Sequence, residues 1–342
     1  MTRLRTFGLT GIAAAFLTIA GTGESFATEP GDFTNYLRGA TQGLPLGALP
    51  PPGLYGGFGL NATGLGGDNG RGNQNVGAPF ATAPAFGYGV NLLWVPGWNF
   101  LGATYGAAVV QGFYQGELAG PTNPPFAVES ISPEIANTNF TPIDLSWNLG
   151  HGWFTALALT VVGPDGSRWP SSAALGAVDL NPDYWTIAPG WAVSYLDANW
   201  LLSANFRYDI NTASRGETLS PFIGAAANGF TSGNLLFGEL SALYKIGKWQ
   251  FGPVGYFVVQ TTNDSPGSGF ACTYGVGGLC GRQSQVDLGF LVGYDFGPAS
   301  VQVWFDDSVE CHDCIGNGVD VWGRLSFKLW GPEALKPLVA KN

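Results

Sequence analysis

Charged side chains are scarce in this sequence. Asp, Glu, Lys and Arg together make up 11% of its 342 residues, against about 25% in an ordinary soluble domain. The net charge is −10, which argues against a nucleic-acid partner because nucleic acids bind to basic surfaces. Aromatic residues reach 14%, which argues against a disordered chain. So few charges would leave a soluble protein poorly soluble, and we therefore expect much of the outer surface to face something other than water.

Long hydrophobic runs are also missing, apart from one near the N-terminus. The run Leu9–Ala20 follows Arg3 and Arg5 and precedes Ser25-Phe26-Ala27. It is too short to cross a bilayer as a helix. A charged start, a short apolar run and a small–x–small end are typical of a secretory signal peptide. We therefore predict that residues 1–27 are a cleaved signal peptide, with an anchored N-terminal helix as the alternative.

Apolar and polar residues alternate with a period of two along most of the remaining chain. In Trp200–Asp209, Trp200 and Phe206 fall on one face and Arg207 and Asp209 on the other. Because successive side chains of a β-strand point to opposite faces, the alternation predicts strands with one apolar and one largely polar face. About twelve such runs are predicted: 54–62, 85–94, 99–114, 142–149, 152–163, 183–195, 198–211, 233–246, 248–262, 283–296, 299–309 and 318–330.

The connections between these runs alternate strictly between short and long. The short ones lie at 95–98, 150–151, 196–197, 247 and 297–298, and the long ones cover 63–84, 115–141, 164–182, 212–232, 263–282 and 310–317. An outer-membrane barrel has this layout, with tight periplasmic turns and long external loops. The sequence therefore predicts an all-β fold: a transmembrane, antiparallel, up-and-down β-barrel with long extracellular loops. An even number of strands places both termini in the periplasm.

Tryptophan placement favours the same fold. Several of the twelve tryptophans lie within a few residues of a predicted short turn or of the end of the last strand: Trp94, Trp98, Trp147, Trp153, Trp191, Trp200, Trp249 and Trp330. Interfacial rings prefer the depth of the lipid headgroups, so a membrane barrel gathers them into a girdle. The alternative is a soluble β-sandwich, which would have to bury the apolar face against a second sheet.

Several motifs occur in an order that resembles a known family. They are Leu49-Pro50-Pro51-Pro52-Gly53-Leu54-Tyr55, Asp183-Tyr184-Trp185-Thr186-Ile187-Ala188-Pro189-Gly190, Tyr208-Asp209-Ile210-Asn211, Gly255-Tyr256-Phe257-Val258-Val259-Gln260-Thr261-Thr262-Asn263-Asp264 and Gly293-Tyr294-Asp295-Phe296. Together they resemble the proteobacterial outer-membrane family associated with meta-pathway phenol degradation. The resemblance implies a barrel that passes hydrophobic or aromatic compounds across the outer membrane. An Ala/Gly-rich stretch near 212–227 and the tail after Trp330 depart from the family pattern.

If the apolar face meets lipid, the opposite face of the strands lines the lumen of the barrel. The inward residues that we predict to meet a passing solute are Arg207, Asp209, Glu239, Tyr256, Asp287, Asp295, Trp304, Trp322 and Arg324. Aromatic rings beside a few opposed charges suit an amphipathic or aromatic guest. The alternative is that these charges pair across the lumen and close it.

The residues before the first predicted strand form a distinct segment. Residues 28–53 are rich in proline and glycine and contain Phe33, Tyr36 and Arg38. We predict that this segment folds into the barrel as a plug, in which case transport is gated. A periplasmic tether or a disordered N-terminus is the alternative.

Cysteine and histidine are few, and their placement limits the chemistry. The cysteines fall in two predicted external loops: Cys272, Cys280, Cys311 and Cys314. An oxidising compartment favours disulfides, within each pair or between the loops, and the spacing does not match a zinc ribbon. Neither His151 nor His312 lies in a predicted strand, and no serine–histidine–acid grouping indicates a triad. The sequence therefore predicts no catalytic residue, no metal site and no cofactor.

The sequence thus divides into a signal peptide (1–27), an N-terminal segment (28–53), a barrel (54–330) and a C-terminal tail (331–342). Its predicted partners are outer-membrane lipid, a small hydrophobic or aromatic solute and, during biogenesis, the barrel-assembly machinery. The predicted function is uptake of that solute by passive, substrate-selective diffusion. The alternative is a structural or adhesive barrel with a closed lumen, whose external loops bind partners.

Overall fold

The computed structural model describes residues 34–64, 84–119, 128–167, 181–214, 231–265, 282–312 and 318–332. The strands are β1 (Gly53–Gly64), β2 (Pro84–Val95), β3 (Asn99–Phe100), β4 (Ala103–Ala119), β5 (Val128–Ile135), β6 (Asn139–Gly150), β7 (Trp153–Val162), β8 (Thr186–Leu196), β9 (Trp200–Asn211), β10 (Leu235–Ile246), β11 (Trp249–Gln260), β12 (Ser284–Asp295), β13 (Ala299–His312) and β14 (Val319–Trp330). Among the described residues, no helix is long and apolar enough to cross a membrane.

The strands close into an antiparallel barrel. β1 pairs with β14 on one side and with β2 on the other, and β6 to β14 pair in chain order. β2 pairs with β4 and β4 with β6, which completes the circle. β3 only forms a short hairpin with the start of β4, and β5 pairs with the far half of β4. The barrel itself therefore has twelve strands, which confirms the fold that the alternation predicts.

The structure differs from the prediction mainly around β4. The predicted strand 99–114 is interrupted by a turn at Leu101 and Gly102, which both have positive φ, at 51° and 81°. β4 then continues to Ala119, and β5 lies in a stretch predicted to be a loop. The sequence of β5, VESISPEI, carries a proline and two glutamates, so it lacks the apolar face by which a membrane strand is recognised.

The outer face of the barrel is apolar. On β1 and β2 the side chains of Phe58, Leu60, Val90 and Leu92 are exposed, while their neighbours Asn61 and Gly87 are buried. Most of the tryptophans predicted to form a girdle are more than 40% exposed: Trp94, Trp98, Trp153, Trp191, Trp200, Trp249 and Trp330. An exposed apolar belt of this kind is stable only against lipid, because soluble monomers rarely expose large apolar patches.

Short turns gather at one end of the barrel. Residues 151–152, 197–199, 247–248 and 296–298 connect consecutive strands there, and β1 begins and β14 ends at the same end. We call this the short-turn end, and the opposite end the long-loop end. One turn is fixed by Asp197, whose carboxylate accepts hydrogen bonds from the backbone N–H groups of Asn199 (2.7 Å) and Trp200 (2.6 Å) and from the Tyr195 hydroxyl (2.9 Å).

Candidate functional site

Residues 34–50, which we call the inner segment, run through the interior of the barrel. Near the long-loop end, the Asn35 side-chain amide donates to the hydroxyl of Thr186, at the start of β8 (2.8 Å). Near the short-turn end, the backbone N–H of Gly47 donates to the hydroxyl of Ser194, close to the end of β8 (2.9 Å). The inner segment therefore follows the barrel along most of one strand, about 26 Å at 3.3 Å per residue.

A series of tight turns shapes the middle of the inner segment. The N–H groups of Ala40 and Gln42 donate to the carbonyls of Leu37 and Gly39, at 3.2 and 3.3 Å. Gly43 has a φ of 76°, and a Cβ at this position would lie 2.5 Å from a methyl carbon of Leu291. The turns therefore bring the backbone so close to the wall that a side chain at Gly43 would clash.

Glu239 on β10 is the main acceptor for the inner segment. Its carboxylate receives hydrogen bonds from the Tyr36 hydroxyl (2.9 Å), from the N–H of Gly39 (2.9 Å) and Thr41 (3.1 Å), and from the Thr41 hydroxyl. The side chain is only 3% exposed. Hydrogen bonds to an ionised acceptor are about twice as strong as neutral ones, so Glu239 holds three residues of the inner segment at a single point.

Arg324 on β14 is the matching donor. Its guanidinium donates to the carbonyls of Ala40 (3.0 Å) and Gln42 (2.5 Å) and to the side chain of Gln302. The Gln302 amide in turn donates to the carbonyl of Gly43 (3.1 Å). The wall thus binds both the N–H groups and the carbonyls of the inner segment.

Three aspartates lie on β12, β13 and β14 beside the same turns. Asp306 and Asp320 are direct cross-strand partners, and Asp287 accepts a hydrogen bond from the Tyr256 hydroxyl (2.8 Å). Arg38 of the inner segment donates to Gln285 and interacts electrostatically with Asp287. The positive charge of the inner segment is therefore placed against the acidic part of the wall.

A second charged contact lies nearer the long-loop end. Arg207 forms an ion pair with Asp209 at 2.5 Å, and both are buried. The Arg207 guanidinium also lies 4.5 Å from the ring centroid of Tyr36. The Tyr36 ring also contacts the ring of Phe237 edge-on, with the two ring centroids 5.1 Å apart. Tyr36 is therefore enclosed by a cation, an aromatic ring and the Glu239 carboxylate.

Two tryptophans stack on the wall of the lumen. Trp304 and Trp322 are direct cross-strand partners, with ring centroids 5.5 Å apart and planes within 2° of parallel. Arg324 lies 4.8 Å from the Trp304 ring. Both indole N–H groups are buried and have no hydrogen-bond partner in the described part of the chain. Each buried donor left unpaired costs about 1–3 kcal/mol.

An apolar cluster surrounds this pair. It contains Leu201, Leu243, Val254 and Leu291 besides the two tryptophans, and Ala40 of the inner segment packs against it. The lumen of a water-filled porin is polar. This lumen instead combines an apolar, aromatic patch on its wall with the charged side chains that bind the inner segment.

The strands that follow β14 around the barrel, β1, β2 and β4, carry a row of glycines on their inner face. On β1, β2 and β4 the residues Gly59, Gly89 and Gly112 are cross-strand partners, and Gly59 also pairs with the inward-facing Arg324. A Cβ at Gly59 would have no neighbour closer than the Gly323 carbonyl oxygen, 4.0 Å away. The inner segment therefore does not fill the space beside Gly59.

Val110 on β4 supports this difference between the walls. It pairs with Asn91 and with Asn139, whose amide donates to the carbonyl of Asn35 in the inner segment (3.3 Å). Because cross-strand partners share a face, Val110 points into the lumen, yet it is 43% exposed. The lumen is therefore tightly packed along β9 to β14 and less filled beside Gly59 and Val110.

The structure brings most of the predicted lumen residues together. The following are buried, on the face towards the inner segment: Arg207, Asp209, Glu239, Tyr256, Asp287, Trp304, Trp322 and Arg324. Asp295 does not join them, because it is exposed at the end of β12 and accepts a hydrogen bond from the N–H of Gly297 (2.7 Å). Alternation does not mark where the barrel interior ends, so the sequence could not show that Asp295, the last residue of β12, lies at the exposed end of the strand.

The candidates outside the strands are only partly described. Tyr36 and Arg38 lie in the inner segment, whereas Phe33 lies outside the described residues. Cys311 lies in β13, opposite Gln285, and Cys272, Cys280 and Cys314 lie outside the described residues, so the disulfides stay a prediction. The neutral anchors were not predicted from the sequence: Ser146, Ser194, Ser241, Gln285 and Gln302. Gln302 lies two residues before Trp304 and so shares its face.

Comparison with known proteins agrees with this geometry. The model of the family described as "Putative MetA-pathway of phenol degradation" matches residues 66–310. The crystal structure of an outer membrane channel from Pseudomonas putida F1 is similar to this chain. The similarity covers 82% of this chain and 96% of the channel, with a TM-score of 0.63 and 12% sequence identity. The Pseudomonas putida toluene transporter TodX covers 89% of this chain and 96% of its own, at 12% identity and a TM-score of 0.43. A TM-score of 0.43 is too low to support an inference about this chain.

The chain has no significant match among curated proteins. The barrel fold, its apolar outer face and the similarity to a solved outer-membrane channel place the chain in the outer membrane of Gram-negative bacteria.

Proposed function

Because the chain belongs to this phenol-degradation family, we propose that it is an outer-membrane channel for the uptake of small hydrophobic or aromatic compounds by passive, substrate-selective diffusion. The observation that carries this proposal is the apolar, aromatic cluster inside the lumen, which includes Trp304, Trp322 and Leu291. A pore for sugars or ions would be lined by polar groups. Apolar walls with a few placed polar groups are typical of sites for small organic molecules.

The inner segment is the gate of the proposed channel. It is held on the β9–β14 side by Glu239, Arg324 and Gln302, and it covers the aromatic cluster with Ala40. Movement towards the less filled wall of β1, β2 and β4 would open a path along the cluster. The short-turn end, where β1 begins and β14 ends, then faces the periplasm, and the long loops face the exterior.

Biogenesis and chemistry follow from the same proposal. A secreted barrel reaches the outer membrane through the barrel-assembly machinery, which we propose as a transient partner.

The lumen holds buried carboxylates and arginines that are hydrogen-bonded to the inner segment, as Glu239 and Arg324 are. We therefore propose that these groups hold the gate and bind solute, and that the protein is a channel and not an enzyme.

Liposome swelling tests the proposed function. Refolded residues 28–342 would be reconstituted, and the entry of benzoate would be compared with that of the sugar arabinose. Faster entry of the aromatic acid is expected. Equal entry of both would indicate a general pore and contradict selectivity.

The second candidate is a structural or adhesive barrel with a closed lumen. The many hydrogen bonds of the inner segment favour it, because they fix the segment over much of its length. Absence of entry for both solutes, in the full chain and in a chain without residues 28–48, would support this candidate. The function would then lie in the external loops.

A further inference from the structure

Hydrogen-bonding groups remain unpaired at one place under the inner segment. Within the described part of the chain, the indole N–H groups of Trp304 and Trp322 are donors without an acceptor, and the Oδ2 atom of Asp306 is an acceptor without a donor. All three side chains are at most 4% exposed. Native proteins pair nearly all such groups, so an unpaired set in one place needs an explanation.

The three side chains lie close together on the wall. Trp304 and Asp306 are two residues apart on β13 and therefore share a face, with about 6.6 Å between their Cα atoms. Trp322 is the direct partner of Trp304 on β14. The two donors and the acceptor thus border one patch of the lumen.

The inner segment covers this patch without bonding to its free groups. Ala40 packs against the tryptophan cluster, and a Cβ at Gly39 would lie 3.5 Å from Asp306 Oδ2. The Gln42 amide uses only the other oxygen of Asp306, at 3.1 Å. The methyl group of Ala40 and the backbone of Gly39 therefore occupy the place where a ligand could hydrogen-bond both to an indole N–H group and to Asp306 Oδ2.

We propose that Trp304, Trp322 and Asp306 form a binding subsite for a neutral aromatic molecule that carries a hydroxyl group, and that the inner segment covers this subsite until the gate moves. The hydroxyl oxygen accepts from an indole N–H, and the hydroxyl proton is donated to Asp306 Oδ2. The aromatic ring packs on the apolar neighbours Leu291 and Val254. This subsite rests on the proposed function, because it lies on the proposed path.

The acidic neighbourhood decides between a hydroxyl and a carboxylate. Asp320 is the cross-strand partner of Asp306, and Arg38 of the inner segment supplies positive charge to the neighbouring Asp287. Arg324 lies on the other side of the subsite, against the Trp304 ring. When the gate moves, Arg38 moves with it and the Asp306 side of the patch becomes more negative, so that a neutral hydroxyl fits there better than an anion.

Calorimetric titration of the refolded chain in detergent tests the subsite, with phenol and toluene as probes of similar size. Phenol is expected to bind about tenfold more tightly than toluene, as one or two added hydrogen bonds allow. The Trp304→Phe/Trp322→Phe double variant keeps the aromatic rings and removes both N–H groups. It is expected to lose most of the preference for phenol, because only the hydrogen bond to Asp306 remains, with toluene affinity unchanged.

Matched variants separate the subsite from general effects. Trp191→Phe removes the N–H of an outward-facing indole that donates to Thr155, and it should keep the preference for phenol. Asp306→Asn should reduce that preference, because the amide replaces an acceptor by a donor. A double variant that prefers phenol as strongly as the unmodified chain overturns the subsite.

The same titration distinguishes this inference from the proposed function. Equal binding of phenol and toluene by the unmodified chain overturns the subsite and leaves an aromatic channel intact. Absence of binding by both probes, also in the chain without residues 28–48, overturns the subsite and the aromatic channel together. The shift of gel mobility on boiling, which intact barrels show, confirms that each variant is folded.

Discussion

Glu239 is the residue on which the position of the inner segment depends most. Its two oxygens accept hydrogen bonds from Tyr36, Gly39 and Thr41. In Glu239→Gln an NH2 group replaces one of these oxygens and faces donors, so the anchoring should weaken by about 1–3 kcal/mol. We expect solute entry into liposomes to rise by about fivefold or more, since 1 kcal/mol corresponds to a factor of about five.

An exposed acid on β13 provides the control for Glu239. Asp307 is exposed and follows the inward-facing Asp306 on β13. Asp307→Asn removes a charge of the same sign without touching the inner segment, and entry should stay at the level of the unmodified chain. Unchanged entry in Glu239→Gln itself would show that this carboxylate does not hold the gate.

Asp197 stabilises a turn at the short-turn end, and its effect should depend on pH. Hydrogen bonds from the N–H groups of Asn199 and Trp200 lower the pKa of its carboxyl below the ordinary value of about 3.9. A lowered pKa in the folded state contributes stability above the unfolded pKa, and this contribution is lost as the pH falls through the folded pKa. Asp197→Ala should therefore lower the urea midpoint of unfolding at pH 7, with a smaller difference at pH 2. An equal difference at both pH values would contradict the role of the ionised carboxylate.

Single residues inside the barrel were predictable to the extent that alternation continues without a bulge. Arg207, Glu239 and Arg324 could be assigned to the inner face because their strands alternate regularly. Asp295 could not be separated from them, since the pattern does not mark where pairing with β13 ends. The unpaired indole of Trp304 was not predictable either, because it depends on what the inner segment places above it.

Among the elements, the inner segment has the largest effect on the proposed function. It crosses the lumen between Thr186 and Ser194 and covers the aromatic cluster. Deletion of residues 28–48 should therefore raise passive entry of both benzoate and arabinose, by more than Glu239→Gln does. The measurement is liposome swelling at equal amounts of folded barrel, judged by gel mobility without boiling. Unchanged entry would remove the gate from the proposal.

The sequence predicted the strands better than the inner segment, for a physical reason. A membrane strand must present an apolar face to lipid, so its alternation is visible, as in β9 and β12. The inner segment has no such requirement. Its path is set by turns at Gly39 and Gly43 and by backbone hydrogen bonds to the wall, which leave no periodic pattern. β5 was not predicted for the same reason. It pairs only with the far half of β4, and its sequence lacks an apolar face.

The whole barrel distributes its side-chain volume unevenly around the lumen. Large and charged residues such as Trp304 and Arg324 lie on β9 to β14, whereas Gly59 and Gly89 lie on the adjoining strands β1 and β2. A twelve-stranded barrel is wider than an eight-stranded one, whose interior side chains nearly fill. The anchors of the inner segment lie on β6, β8, β10 and β12 to β14, so free volume remains beside Gly59. The gate would move into this space, and the proposed path would open along the aromatic cluster that the gate leaves.

Gly59 tests this picture at the scale of the whole molecule. Its φ is not in the left-handed region, and a Cβ there meets only a carbonyl oxygen at 4.0 Å, so Gly59→Leu should fold without strain. A larger residue usually stabilises a strand relative to glycine, and the thermal midpoint should stay equal or rise. The leucine would nevertheless occupy the space into which the gate moves, so benzoate entry should fall several-fold. In the control Gly323→Ala, the added methyl group meets the outward-facing Leu60, and entry should not change. If Gly59→Leu kept the full rate, the gate would open without the free volume beside Gly59, and that volume would play no part in transport.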